Sequence, residues 1–282
     1  MPELPEVETV RRMLAQHIVG RTVSRVRLSG ERLRTAISAA STRALRGRRV
    51  AGVGRHGKYL FVHFDGGRTL LSHLGMSGRW LFSPGKPTER LPHVHATFEF
   101  EDGSFLRYQD PRRFGLIRVV ASEGLRREKE LRALGPDPVE QGFEAEDLAE
   151  RARRRRAAVK VFLLDQRQLA GIGNIYASEI LYRARVHPGR PAGRIEPGEW
   201  REIAAATRAV LGEAIDRSGT TFSMYRTLWN EPGNYGDQLR VYDRGGLPCR
   251  NCGTPIRRVV LGQRSTFFCP SCQPRTATKR KK

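Results

Sequence analysis

This chain has too little acid to balance its base. Against 51 Lys and Arg it carries 29 Asp and Glu, giving a formal charge of +22 and a sequence pI near 11.0. That deficit excludes a basic partner and calls for a polyanion. Nucleic acid is the simplest, and its binding weakens steeply with salt as counterions are released. A ribosomal or membrane-surface role carries the same charge, so charge alone names no function. Long apolar runs are absent as well: none approaches the roughly 18 residues of a membrane span. The N-terminus has Glu3, Glu6, Glu8, Arg11 and Arg12 where a signal peptide needs an apolar core. The expectation is a soluble, cytoplasmic protein. Cysteine is scarce too, with all four between positions 249 and 272, which excludes a disulfide framework spread over the fold.

What is present suffices for two ordinary domains: 282 residues, 39% of them hydrophobic, with 29 Gly marking many turns. The chain opens Met1-Pro2-Glu3-Leu4-Pro5-Glu6-Val7-Glu8. Removal of an initiator Met is favoured before Pro, so the mature chain is expected to start at Pro2, with a secondary amine. A terminal amine has a pKa near ~8 against ~10.4 for Lys, which makes it the better nucleophile at neutral pH. Its attack on a sugar or carbonyl carbon gives an iminium that has no N–H to lose, a persistent electron sink suited to elimination. Glu3 stands beside it as a candidate acid. A capped helix start accounts for the same acids, because carboxylates complement a helix N-terminus.

Val7, Val10, Leu14 and Ile18 recur at helical spacing, and Gly20 follows as a stop. Short alternating runs then predict strands at 50–53, 59–64, 69–74, 79–82, 96–100, 105–109 and 116–120, with turns at Asp65-Gly66-Gly67 and Asp102-Gly103. This is a β-sandwich or barrel preceded by a helix. Gly52-Val53-Gly54-Arg55-His56-Gly57 spells a dinucleotide-binding pattern. A strand-type run follows it where a helix belongs, so it is better read as a tight turn presenting Lys58. Two loop-like segments, His73 to Gly78 and Asp110 to Gly115, place Met76 and Phe114 beside Arg112 and Arg113. Apolar loop tips next to arginines are either buried packing or wedges that unstack a base step, as in enzymes that flip a nucleotide.

Gly124, Gly135-Pro136-Asp137-Pro138 and Gly142 break the pattern and set a boundary between about 121 and 145, after which helices are predicted at 147–164, 174–184 and 197–217. The run Arg151 to Arg156 reads as a solvated helix face. Gly171-Ile172-Gly173-Asn174 precedes a helix, where backbone N–H groups and Asn174 make an anion site or a plain helix corner. Residues 218–246 are irregular, rich in Thr, Tyr and Gly. Cys249-x-x-Cys252 and Cys269-x-x-Cys272, sixteen residues apart, read as a closed four-thiolate site for one structural zinc ion on a β-hairpin that carries Arg257, Arg258 and Arg264.

Taken together, the opening Pro2 to Thr9, Gly57-Lys58-Tyr59-Leu60, His73-Leu74-Gly75-Met76, Asp110 to Gly115, Gly173-Asn174-Ile175-Tyr176-Ala177 and the terminal finger closely resemble the bacterial formamidopyrimidine-DNA glycosylase family, from Pro2 to Cys272. The resemblance implies an α+β fold: an N-terminal helix plus β-sandwich over 1–125, a linker over 126–146, a helix-two-turn-helix domain with a lesion-capping loop over 147–246, a zinc-finger β-hairpin over 247–275 and a basic tail over 276–282. It implies a glycosylase and lyase acting, as a monomer, on double-stranded DNA with oxidised purines or abasic sites. Pro2 is then the nucleophile, Glu3 the acid-base partner, Glu6 an orienting carboxylate and Lys58 the family's hairpin lysine. Met76, Arg112 and Phe114 match its void-filling triad, and His73, Arg113 and Tyr242 belong to its DNA-binding set. Asn174 and Arg264 match residues that pinch the DNA backbone beside the flipped nucleotide, which puts Arg264 close to the chemistry too. Lys160 aligns more loosely with a lysine near the lesion pocket. Two departures stand out: Asp243 where the family usually has Gly, and an atypical 218–238 segment. The alternatives are an endonuclease VIII-like glycosylase for oxidised pyrimidines and a non-catalytic, zinc-dependent DNA-binding protein.

Overall fold

The computed structural model describes residues 2–221 and 225–275. The expected basic tail lies outside them. The chain forms two compact units, one of 1–132 with 214–236, the other of 133–213 with 237–282.

In the first unit, α1 (Leu4–Ile18) is followed by β1 (Val23–Leu28), a short α2 (Ala39–Arg43), β2 (Val50–His56), β3 (Tyr59–Phe64), β4 (Arg68–His73), β5 (Arg79–Ser83), β6 (Val94–Phe100), β7 (Phe105–Gln109) and β8 (Leu116–Ala121). The strands make two antiparallel four-stranded sheets, ordered β1-β6-β7-β5 and β2-β3-β4-β8. This resolves sandwich against barrel in favour of the sandwich. Trp80, Phe82, Phe98, Phe100 and Leu106 from one sheet join Val50, Leu60, Val62, Phe64 and Leu70 from the other in a single core, with Val7, Val10, Leu14 and Ile18 of α1. The strand β1 carries Arg25 and Arg27 on its outward positions, which hid its alternation among charges.

The second unit holds α3 (Ala145–Ala152), α4 (Val159–Leu164), α5 (Asn174–Arg183) and most of α6 (Pro197–Asp216), then a hairpin of β9 (Arg257–Leu261) and β10 (Arg264–Phe268). The helix expected over 147–164 is broken in two, and Arg153 to Arg156 lie exposed in the break. Continuing the helix would set Arg151 and Arg155 one turn apart on the same face, a like-charge pair that costs about 0.2–0.5 kcal/mol. The irregular segment divides as well. Residues 214–236 pack within the first unit, because Tyr225 and Leu228 are buried in its core.

Candidate functional site

The first residues are buried and tied down. Glu3 caps α1, and Glu6, three residues on, completes a capping box: its Oε2 accepts from the Glu3 backbone N–H at 2.7 Å. The other oxygen of the same carboxylate accepts from the Thr220 backbone N–H at 2.7 Å, and the Tyr225 hydroxyl donates to the Glu6 carbonyl. Gly219 makes this approach possible. Its φ is +77°, and an added Cβ would sit 2.6 Å from Glu6 Oε1. Chain ends ordinarily fray; here Pro2, Glu3 and Glu6 are all buried, so the segment that bears the candidate nucleophile is held still.

Lys58 occupies the two-residue turn between β2 and β3, after Gly57 at φ +58°. A strand-edge lysine usually faces solvent; this one is buried. Next to it, on β4, His73 pairs in register with Tyr59 and accepts at Nδ1 from the Gly75 backbone N–H at 2.9 Å. Burial, with the positive charges of Arg34 and Lys58, pulls His73 down to about 3. It is therefore neutral, and it buttresses the loop that carries Met76.

The two loops with apolar tips form one assembly. Gly75, at φ +61°, backs against the 114–115 backbone, where a Cβ would meet the Phe114 carbonyl carbon at 2.5 Å. Asp110, fully buried, accepts from the Ser77 hydroxyl and, through its second oxygen, from the Gly115 N–H at 2.7 Å, while Arg112 N–H donates to Ser77 Oγ at 3.1 Å. Met76 and Phe114 remain 38% and 46% exposed, which excludes buried packing. The Arg112 guanidinium lies over the Phe114 ring at 5.0 Å, and Arg113, at φ +56°, pairs with Glu31 instead. The letters of the motifs gave Ser77 and Asp110 no role; a buried, doubly satisfied carboxylate becomes visible only when the two loops are brought together.

Burial of these groups has a consequence for acid stability. Glu8, held by three arginines, is lowered to about 2. His73 and Glu8 are both depressed relative to the unfolded chain, so the unfolded state binds protons that the folded unit refuses. Their stabilisation is intact above each unfolded value, 6.5 for His73 and 4.5 for Glu8, and is lost as pH falls toward about 3 and about 2. His63, lowered by burial, acts in the same sense. We expect the first unit's unfolding free energy to drop below pH 6.5, by about 1.4 kcal/mol per pH unit from His73. Urea titrations at several pH values check this. His73→Asn keeps an acceptor for Gly75 and should flatten the slope; an unaltered slope would remove His73 from the account.

In the second unit, Lys160 is fully buried, and its Nζ donates to Asn174 Oδ1 at 2.7 Å, the Ser265 carbonyl at 3.0 Å and Thr266 Oγ1 at 2.8 Å. Asn174 Nδ2 donates to the same Ser265 carbonyl at 3.0 Å. The structure thus joins Lys160, Asn174 and the strand that begins at Arg264, and leaves Arg264 exposed. With its ammonium hydrogens directed at these acceptors, Lys160 fixes Asn174 against the hairpin. Tyr242 is half-buried against Phe267, with ring centroids 5.3 Å apart. Its backbone N–H and those of Arg240 and Val241 all donate to the buried Glu179 carboxylate, which burial pushes up and these bonds pull back. Asp243 adopts φ +60°, a left-handed conformation that Gly takes freely and Asp tolerates.

The four cysteine sulfurs lie within 4.8 Å of one another, with 3.4 Å between Cys252 and Cys269 and 3.9 Å between Cys249 and Cys272. Tetrahedral Zn–S bonds of ~2.3 Å require sulfurs roughly 3.8 Å apart, so the set fits one zinc ion and leaves no open position. The Tyr182 hydroxyl lies 3.3 Å from Cys249 Sγ, and Asn251 Nδ2 donates to Cys272 Sγ at 3.4 Å, contacts that orient the ligands.

Three family models match the chain: the formamidopyrimidine-DNA glycosylase N-terminal domain over 1–117, the H2TH domain of the same enzymes over 134–226, and a zinc finger found in FPG and IleRS over 246–275. Among curated relatives, the formamidopyrimidine-DNA glycosylases of Methylococcus capsulatus and Heliobacterium modesticaldum are 47% and 45% identical, each alignment covering 97% of this chain and 100% of the relative. The crystal structure of the MutM (Fpg) protein from Thermus thermophilus superposes with a TM-score of 0.86 at 39% identity, covering 98% of this chain and 100% of that one. A Lactococcus lactis Fpg complexed with DNA containing an abasic site gives 0.89 at 30% identity, covering 96% and 99%.

Proposed function

The chain belongs to the formamidopyrimidine-DNA glycosylase family, and on that premise we propose that this base-excision repair enzyme removes oxidised purines and cleaves the resulting abasic site through Pro2. The observation that carries the reading is the capping box that holds the chain's start against α1, with Glu3 and Glu6 buried. A nucleophile on a frayed end would spend most of its time misaligned, whereas fixed geometry supplies a large part of the rate. Freed of Met1, the Pro2 amine attacks C1′ of the damaged nucleotide, the base leaves, and the iminium draws electrons from the sugar so that the 3′ and then the 5′ phosphate is eliminated. Glu3 assists opening of the sugar ring, Glu6 orients the cap, and Lys58 lies close to the lesion and its phosphate.

Duplex DNA is the partner, bound by a monomer at the nucleoid. Met76, Arg112 and Phe114 fill the void left by the extruded nucleotide, with His73 and Asp110 holding their loops. Asn174 and Arg264 grip the backbone, Arg113 and Tyr242 add contacts, and Lys160 holds Asn174 in place. Among the described residues no helix is long and apolar enough to cross a membrane.

Two measurements test this reading. Turnover on duplexes with 8-oxoguanine should exceed that on an oxidised thymine; the reverse order favours an endonuclease VIII-like specificity. Phe114→Ala should slow excision from a lesion embedded in duplex by at least about tenfold and cleavage of a pre-formed abasic site by about twofold, because unstacking is the step a wedge assists. Equal losses on both substrates would count against a wedge.

A further inference from the structure

A buried ion pair links the helix that begins beside Pro2 to the turn that carries Lys58. Glu8 lies in the second turn of α1, and Arg55 on β2. Both side chains are almost completely shielded, at 3% and 0% exposure, and Arg55 Nε donates to Glu8 Oε2 at 3.0 Å. The opposite edge of the same guanidinium donates from a terminal nitrogen to the Gly57 carbonyl at 3.0 Å. That carbonyl belongs to the peptide plane leading into Lys58. Arg11 and Arg12 also bind Glu8, at 2.9 and 2.8 Å, from the outer side.

Burying two charges seldom adds stability over an apolar pair of equal volume, because desolvation offsets the attraction. What it adds is direction. A guanidinium is rigid and planar, so bonds on two of its edges fix the angle between the groups it joins. A leucine or methionine at 55 would fill the space and leave the turn free to rock.

We infer that Glu8 and Arg55 are positioning residues that set Lys58 relative to the Pro2 amine. The inference rests on the reading of Pro2 and Lys58 proposed above. Neither residue need touch DNA: Glu8 anchors Arg55 to the helix, and Arg55 holds the peptide plane from which Lys58 departs. Misplacement of a reacting group by about 1 Å costs on the order of a hundredfold in rate, so a tie of this kind has a measurable effect.

The test is a double-mutant cycle on the full-length zinc-loaded protein, measured as single-turnover excision of 8-oxoguanine with enzyme in excess. Arg55→Met should lower the limiting rate about tenfold and leave the half-saturating enzyme concentration unchanged. In a Lys58→Ala background the same change should cost less than about twofold, because the residue acted upon is already gone. Glu8 keeps Arg11 and Arg12 in Arg55→Met, so no unpaired carboxylate is created. Arg55→Lys, which retains the charge but cannot bond along two edges, should fall between the two rates. Should Arg55→Met fail to fold, Glu8→Gln replaces it in the cycle, with a two- to fivefold loss expected only where Lys58 is present. Equal losses with and without Lys58, or no loss at all, would overturn the inference and leave the proposed chemistry standing. Failure of the unaltered enzyme to give a borohydride-trapped adduct would instead overturn the Pro2 reading, and the positioning role with it.

Discussion

A preparation that retains Met1 should form no borohydride-stable adduct with abasic-site DNA, while the processed chain beginning at Pro2 should form one readily. With Met1 in place, the proline nitrogen is a tertiary amide, its lone pair is delocalised into the carbonyl, and it cannot attack C1′. The expected loss is at least a thousandfold, because blocking the amine removes the covalent route itself, whereas losing a general acid or base leaves that route in place and costs about 10²- to 10⁴-fold. Pro2→Gly is the subtler case. A glycine terminus still offers an amine, but a primary one, and it loses the ring that holds the nitrogen in one orientation about N–Cα; slower trapping is expected rather than none. N-terminal sequencing paired with trapping yields both numbers. An adduct formed at full rate by the Met1-retaining chain would move the nucleophile elsewhere, with the buried Lys58 the next residue to test.

Loss of the zinc should be nearly as damaging, and confined to one unit. Cys269 is fully buried, with its sulfur 3.4 Å from that of Cys252. The hairpin's own apolar cluster is small, consisting of Val241, Cys249, Ile256, Phe267 and Cys269. Metal coordination therefore supplies most of its folding energy, on the order of 10–16 kcal/mol for four-ligand structural zinc sites. In Cys269→Ser the hairpin should open, releasing the Ser265 carbonyl and Thr266 hydroxyl that hold Lys160 and Asn174. DNA affinity is expected to fall about a hundredfold with zinc content near zero. The first unit should melt as before, since its core around Trp80 contains none of these residues. Full zinc occupancy with unchanged affinity would refute a structural role for the site.

Much of the site could be read from letters because each motif is short and contiguous. The Pro-Glu opening, the Gly57-Lys58 turn and the paired Cys-x-x-Cys segments keep their meaning in any fold that satisfies local geometry. The strand runs of the sandwich were legible for a similar reason, since alternation survives wherever one face is buried. Residues whose role depends on a distant partner were not. Glu8 reads as one more acid at a helix start, and only packing against β2 shows it meeting Arg55, 47 positions away. Asp110 reads as the first residue of a turn until Ser77 arrives. Lys160 aligns by letter with a lysine near the lesion pocket, and only folding shows it sealed beneath β10 with its ammonium on Asn174, Ser265 and Thr266.

The sequence alone determined the chemistry this protein has available: a proline that offers a secondary amine once Met1 is removed, carboxylates beside it, a closed set of thiolates and a surplus of positive charge. Those follow from covalent structure and composition, which folding does not change. Tertiary structure decided which of those groups are buried and which partners each one meets. Burial sets the balance between charge and desolvation, and it turns an ordinary acid such as Glu8 into an anchor and a lysine such as Lys160 into a brace. Closure of the sandwich also brings the Met76 and Phe114 loops side by side. That proximity depends on strand pairing, which no local pattern encodes.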